Sequence, residues 1–334
     1  MTSLPKPCER TAAGPGSTVP RSPALPLDGG PSAPSAFYRA WLWRLGLDAV
    51  RLLPAFVLRA ICLGVAEIYY RVRPARRAVV TQNLLPAVQG DLASARQAAH
   101  ALFRQFAVKM VELWRFESGV SVGSWFTAGI DWKILEETSR RGKGVLLITP
   151  HLGNWELGGA LLAERGYPLL VLTQAEPGQG LTEMRQAARS RLGIETMVIG
   201  SDGFEFVELI KRLQNGAVVA LLIDRPPGAK AVTVELFGRP FRASIAAAEL
   251  ARASGCALLG VTVVRQTGGY AAQILPEFHY DRSALGNREA RRELTQTILR
   301  GFEPAIRQHP DQWFHFVPLW PEAEPPEPRP NPPA

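Results

Sequence analysis

His151 and Glu156 stand five residues apart within residues 144–164, GVLLITPHLGNWELGGALLAE, where an apolar run gives way to a helical pattern. An imidazole whose one ring nitrogen is held by a carboxylate can use the other to take a proton from a hydroxyl. On one continuous helix two residues five apart point about 140° away from each other. The pair can therefore meet only if His151 lies in the loop before the helix, with Glu156 in the first turn. A plainer reading is also open, in which His151 satisfies backbone groups of a tight turn and Glu156 complements the helix dipole. The pair alone does not choose between them.

The elements that must position these groups follow from the pattern around them. Residues 145–149 are an apolar, partly β-branched run between Gly144 and Pro150, which predicts a buried strand with His151 at its exit. Asn154 is the expected N-cap of a helix carrying Leu157, Leu161 and Leu162 and ending near Gly166. Further strands are expected at 169–173, 217–223, 232–236 and 257–264, and helices at 91–117, 181–192, 207–213, 243–253 and 298–306. This alternation predicts an α/β domain with a largely parallel sheet flanked by helices. Parallel strands bring their C-terminal ends to one edge, so Asp224, just past 217–223, is expected to face the His151 loop. There it either orients His151 or a binding arginine, or caps its own loop. Arg185, Arg189 and Arg191 suit phosphate, since the guanidinium fork donates two parallel hydrogen bonds; they equally fit a solvated basic face.

The chain has 334 residues, is 46% hydrophobic and only 20% charged, and carries a net charge of +8. That length suits one large α/β domain with appendages, and the charge suits an anionic partner: acidic phospholipid, phosphorylated glycolipid, acidic carrier protein or nucleic acid. Cys8, Cys62 and Cys256 have neither disulfide-framework nor zinc spacing, and no P-loop or dinucleotide fingerprint occurs, so neither a metal nor a bound cofactor is expected. Residues 1–36 and 321–334 are Pro-rich and read as disordered tails around a membrane-associated segment, 37–77, and a catalytic domain, 78–320. Within 37–70, Trp41, Trp43, Tyr69 and Tyr70 sit near the ends, while Arg44, Asp48, Arg51 and Arg59 share an arc of roughly 80°. This predicts a helix kinked at Pro54 and lying in the membrane interface, followed by Arg71, Arg73, Arg76 and Arg77 for anionic headgroups. Gly119-Val120-Ser121-Val122-Gly123 has the Gly-x-Ser-x-Gly form, but a helix rather than a strand leads into it, so Ser121 reads as a loop serine.

His151-Leu152-Gly153-Asn154-Trp155-Glu156, directly after an apolar strand, resembles the signature of the bacterial lipid A late acyltransferases, the lauroyl/myristoyl acyltransferase family. The likeness extends to Asn83-Leu84, to the helix closing on Arg189-Ser190-Arg191, to Phe237-Gly238, and to Pro310-Asp311-Gln312-Trp313. It implies the glycerolipid acyltransferase fold, with His151 as general base, Glu156 supporting it and Asp224 assisting. It also implies Asn154, Trp155, Arg189 and Arg191 as candidates for substrate contact. No cofactor is implied beyond a thioester on acyl carrier protein or CoA. The implied partners are acyl carrier protein, a glycolipid acceptor and an anionic membrane surface at the cytoplasmic face of the inner membrane, and no nucleic acid. A late step of lipid A biosynthesis is the leading expectation and acylation of a phosphoinositol mannoside or other glycolipid the second. A non-catalytic lipid-binding protein is the rival of another class. Two departures stand out: Thr173-Gln174-Ala175 replaces the usual Tyr-Arg-Pro, and Asp224-Arg225 replaces Asp-Gln.

Overall fold

A computed structural model of the chain describes residues 39–127, 130–176, 180–199, 204–225 and 231–320; the two expected tails and Pro226-Pro227 lie outside the described residues. Along the chain, α1 (Ala40–Leu52), α2 (Ala55–Val72), α3 (Pro74–Leu84), α4 (Leu92–Glu117) and α5 (Lys133–Arg140) come first. There follow β1 (Val145–Thr149), α6 (Trp155–Glu164), β2 (Leu169–Thr173), α7 (Leu181–Arg191), β3 (Glu195–Val198), α8 (Phe204–Gln214) and β4 (Val218–Leu222). The last part holds β5 (Ala231–Leu236), β6 (Arg239–Ser244), α9 (Ala246–Ser254), β7 (Ala257–Gln266), β8 (Gly269–Ile274) and α10 (Arg288–Gln308).

The main sheet has the order β3-β2-β4-β1-β7-β8, parallel throughout except for the antiparallel edge strand β8. Both faces are covered, which is why its central strands are continuous apolar runs. Leu146 and Ile148 of β1 join Val219 and Leu221 in one core layer, and Val145 and Leu147 join Val218 and Leu259 in the other. The α/β fold with a mostly parallel sheet flanked by helices is thus as expected. The register that places the site is Thr149 opposite Leu222. His151 and Asp224 each lie two residues beyond, at the same sheet edge.

Several boundaries differ from the sequence reading. Residues 37–70 were expected as one kinked helix, whereas Pro54 divides α1 from α2: the Leu53 amide closes α1 on Ala49, and Pro54 then serves as the N-cap of α2. The helix expected from Ala243 begins at Ala246, because β6 pairs with β5 across a two-residue turn in which Phe237 and Gly238 both have positive φ, 53° and 73°. Among the described residues no helix is long and apolar enough to cross a membrane.

Candidate active site

His151 leaves β1 into a loop held on two sides. Its carbonyl accepts from Phe314, the Gly153 amide donates to Gln312, and the Asn154 amide donates to Val263 within β7. Gly153 takes φ +63°, and a Cβ there would lie 1.9 Å from the Val263 carbonyl oxygen, so glycine alone fits. The imidazole is thereby fixed, 6% exposed, with Nδ1 at 2.5 Å from Oδ1 of Asp224 and the backbone N–H donating to Oδ2 at 2.8 Å.

Asp224, wholly buried, also accepts the Trp313 indole N–H at 2.8 Å and the His315 ring at 2.7 Å. Burial pushes its carboxyl up, but the attraction of His151 and His315 and their hydrogen bonds outweigh this and hold it well below the usual range. Burial depresses the His151 imidazole to about 3 against the pull of Asp224. At neutral pH the pair is therefore a carboxylate facing a neutral imidazole that donates from Nδ1, and among the described residues Nε2 makes no hydrogen bond. A base so arranged can accept a hydroxyl proton at Nε2. His151, Asp224 and His315 bring ligand-type atoms within 4.8 Å of one another. The Asp224 oxygens, however, already accept four N–H bonds, the pattern of a hydrogen-bonded relay.

Glu156 does not meet His151. Its carboxylate lies against α7, where Arg189 grips it with Nε at 3.0 Å and Nη2 at 2.5 Å, and Arg185 Nη2 adds a bond of 2.8 Å. Burial raises this carboxyl, yet Arg189 and Arg185 bring it down to about 2. The sequence expectation that Glu156 fixes the His151 tautomer is corrected accordingly: Asp224 occupies that position, and two buried guanidinium groups hold Glu156 one turn away. Of the expected arginine pair, Arg189 is buried in this network, while Arg191 is exposed with its guanidinium on the Glu117 carbonyl at 3.3 Å.

Trp155 stands edge-on to His151 with ring centroids 5.1 Å apart. Asn154 precedes α6 as expected, but its side chain makes no cap; Nδ2 reaches Tyr270 at 3.5 Å, and Oδ1 is buried with no partner among the described residues. Lys109 of α4, buried, lies 3.0 Å from the Trp155 ring centroid and donates to the Gly153 carbonyl at 2.9 Å. Burial drives its ammonium well below the ordinary lysine value. Sequence reasoning missed Lys109 and His315, and took Trp313 only as part of the closing motif without a role at the site. Lys109 did leave a signal, a single cation at helical spacing on the face of Leu102, Phe106 and Leu113. Ser121 lies just past α4, donating to Glu164 at 3.0 Å, and no strand leads into it, so a serine-hydrolase elbow is absent there.

Residues 32–322 match the family model described as bacterial lipid A biosynthesis acyltransferase. The chain is similar to the phosphatidylinositol mannoside acyltransferase of Mycobacterium tuberculosis strain H37Rv, 28% identical over 187 residues, or 56% of this chain and 57% of that protein. The enzyme of the same name from Mycolicibacterium smegmatis is 28% identical over 180 residues, 54% of this chain and 57% of its own length. The match thus spans little more than half the length of these relatives.

Proposed function

This chain belongs to the bacterial lipid A biosynthesis acyltransferase family, and from that premise we propose that it transfers a fatty acyl group from a thioester to a hydroxyl of a membrane glycolipid. The observation that carries the reading is the His151–Asp224 contact of 2.5 Å with Nε2 unengaged. In the step, the acceptor oxygen attacks the thioester carbonyl carbon while its proton passes to His151 Nε2. Asp224 stabilises the imidazolium that forms. The tetrahedral oxyanion then collapses, the C–S bond breaks, and the leaving thiolate takes the proton from His151, which restores the neutral base.

A phosphoinositol mannoside or a related glycolipid is the acceptor we favour, because the relatives bear that name and Gln174 stands where the late lipid A enzymes carry arginine. The late lipid A step is the second reading, supported by the family description. The donor is acyl carrier protein or CoA; a net charge of +8 suits either anionic thioester. Glu156, Arg185 and Arg189 tie the first turn of α6 to α7, and Asn154 and Trp155 border the acceptor.

In this reading the protein docks on the cytoplasmic face of the inner membrane, with α1 and α2 lying in the interface. Ile61, Val65, Ile68 and Val72 form an exposed stripe at helical spacing on α2, and Phe56 at the start of α2 and Trp41 and Leu52 of α1 are exposed as well. Arg44, Arg51, Arg59, Arg71 and Arg73 are exposed on the same helices and the turn after α2, the arrangement that suits anionic headgroups. Trp43 and Arg76, expected at the membrane, instead turn inwards to Glu117 and to the Phe316 carbonyl.

The test of the acceptor is product analysis. Vesicles carrying either phosphatidylinositol mannosides or a lipid A precursor are incubated with acyl-CoA or acyl-carrier protein, and the lipid masses are read. A mass gain of one acyl group on the mannoside alone supports the favoured reading. Gain on the lipid A precursor alone replaces it with the second.

A further inference from the structure

Asp224 receives more donors than orienting one histidine requires. Oδ1 takes the His151 ring, while Oδ2 accepts the His151 backbone N–H, the Trp313 indole and the His315 ring. The His315 side chain is completely enclosed, and its ring lies 5.1 Å from that of His151 at 60°. Because its Nε2 faces a carboxylate oxygen, which only accepts, Nε2 carries the proton. Nδ1 is then left buried with a lone pair and no partner among the described residues. A buried unmet acceptor beside the Trp313 ring, 4.9 Å away, costs stability that a phenylalanine would not, so the use of this imidazole lies in the bond that Nε2 makes.

We propose that His315 is the third member of a His151–Asp224–His315 relay: a positioning residue that aims Oδ1 of Asp224 at His151 and limits how much of the carboxylate's negative charge His151 receives. The proposal rests on His151 acting as the base of acyl transfer. Its physical content is that an N–H donated to a carboxylate stabilises the charged form and makes it a weaker acceptor for its other partners. His151 is faced by Asp224 and Arg225 from the segment after β4, by His315 from the C-terminal segment, and by Trp155 of α6. Lys109 of α4 and Glu156 of α6 stand around Trp155. Without the His315 donor, with the other groups unchanged, the Nδ1–H bond to Asp224 strengthens and His151 protonates more readily.

Three variants of the full chain separate a donor from a filler. His315→Phe keeps the ring and removes the N–H. His315→Asn, whose amide reaches only the Nδ1 position, removes the donor in another way if the phenylalanine variant does not fold. His315→Gln can place an N–H where Nε2 was. Each is first checked by thermal melting. The primary readout is the proton spectrum of histidine-15N-labelled protein at neutral pH, in which the His151 Nδ1 proton is identified by its loss in His151→Gln. We expect this resonance further downfield in His315→Phe and His315→Asn, and near its wild-type position in His315→Gln. The acid limb of kcat/KM should rise by about half a pH unit or more in the first two and not in the third. An unmoved resonance in a folded donor-less variant overturns the proposal, and so does an equal shift in all three. The spectrum needs no turnover: a wild-type protein that transfers no acyl group would overturn the proposed function while the relay is still read from the resonance.

Discussion

Asp224→Asn removes the charge behind His151 and keeps the shape, so kcat should fall by about a thousandfold or more with KM little changed, as loss of the orienting carboxylate does in a Ser-His-Asp triad. Single-turnover rates on a glycolipid acceptor measure it. Glu156→Gln acts differently, because its partners are Arg185 and Arg189 rather than the base. Removing one side of a buried ion pair leaves the guanidinium groups uncompensated, at a cost of about 3–5 kcal/mol, so this variant should lose Tm first and activity as a result. The pH dependence follows from the same groups. His151 is depressed to about 3 in the folded protein, and an unfolded histidine titrates near 6.5, so the unfolded state binds the extra proton between these values. Its contribution to stability is therefore present above about 6.5 and is lost as pH falls towards 3. Melting curves between pH 7 and pH 4 should show Tm falling, and His151→Gln should flatten that fall. Over the same range kcat/KM should lack the limb near 6.5 of an ordinary imidazole.

At the scale of elements, the site is a consequence of register. β1 and β4 are neighbours with Thr149 opposite Leu222, so two residues past each strand the chain brings His151 to Asp224. This was legible in the sequence, because apolar runs bounded by glycine and proline mark buried parallel strands and their exits share an edge. The choice of Asp224 over Glu156 as the partner was not. Both carboxylates were candidates, Glu156 from the first turn of α6 and Asp224 from the shared sheet edge, and what divides them is the approach of α7, whose Arg185 and Arg189 sit four apart and close on Glu156 together. Nor was the contribution of the C-terminal segment. Asn83 accepts the Leu319 amide and donates to the carbonyls of His315 and Val317, and the Gln312 side chain clips onto the Arg265 backbone. Those contacts join residues more than 40 apart, which no local periodicity records. β3 and β8 escaped for a simpler reason: both are edge strands, and neither has the unbroken apolar run of a central one. The loop that carries His151 gives a sharp test. Gly153→Ala places a methyl group against the Val263 carbonyl at a positive φ, so the loop must shift. Activity should fall at least tenfold while far-ultraviolet circular dichroism stays unchanged, since β1 and α6 do not depend on that residue.

For the whole molecule, the proposed function assigns docking to the exposed stripe on α2 and chemistry to the buried groups around Asp224. Replacing Ile61, Val65 and Ile68 by serine removes apolar area already exposed, so Tm should change little. Sedimentation with vesicles containing anionic phospholipid should drop, while turnover of a detergent-dispersed acceptor is kept. The most direct test of the central claim is transfer of a labelled acyl group from acyl-CoA and acyl-carrier protein to phosphatidylinositol mannosides and to a lipid A precursor, by wild-type protein and by folded His151→Ala. The account predicts a labelled glycolipid that the wild type makes and the variant does not. Equal label in the glycolipid from both proteins, or none from the wild type with either donor and either acceptor, would contradict it.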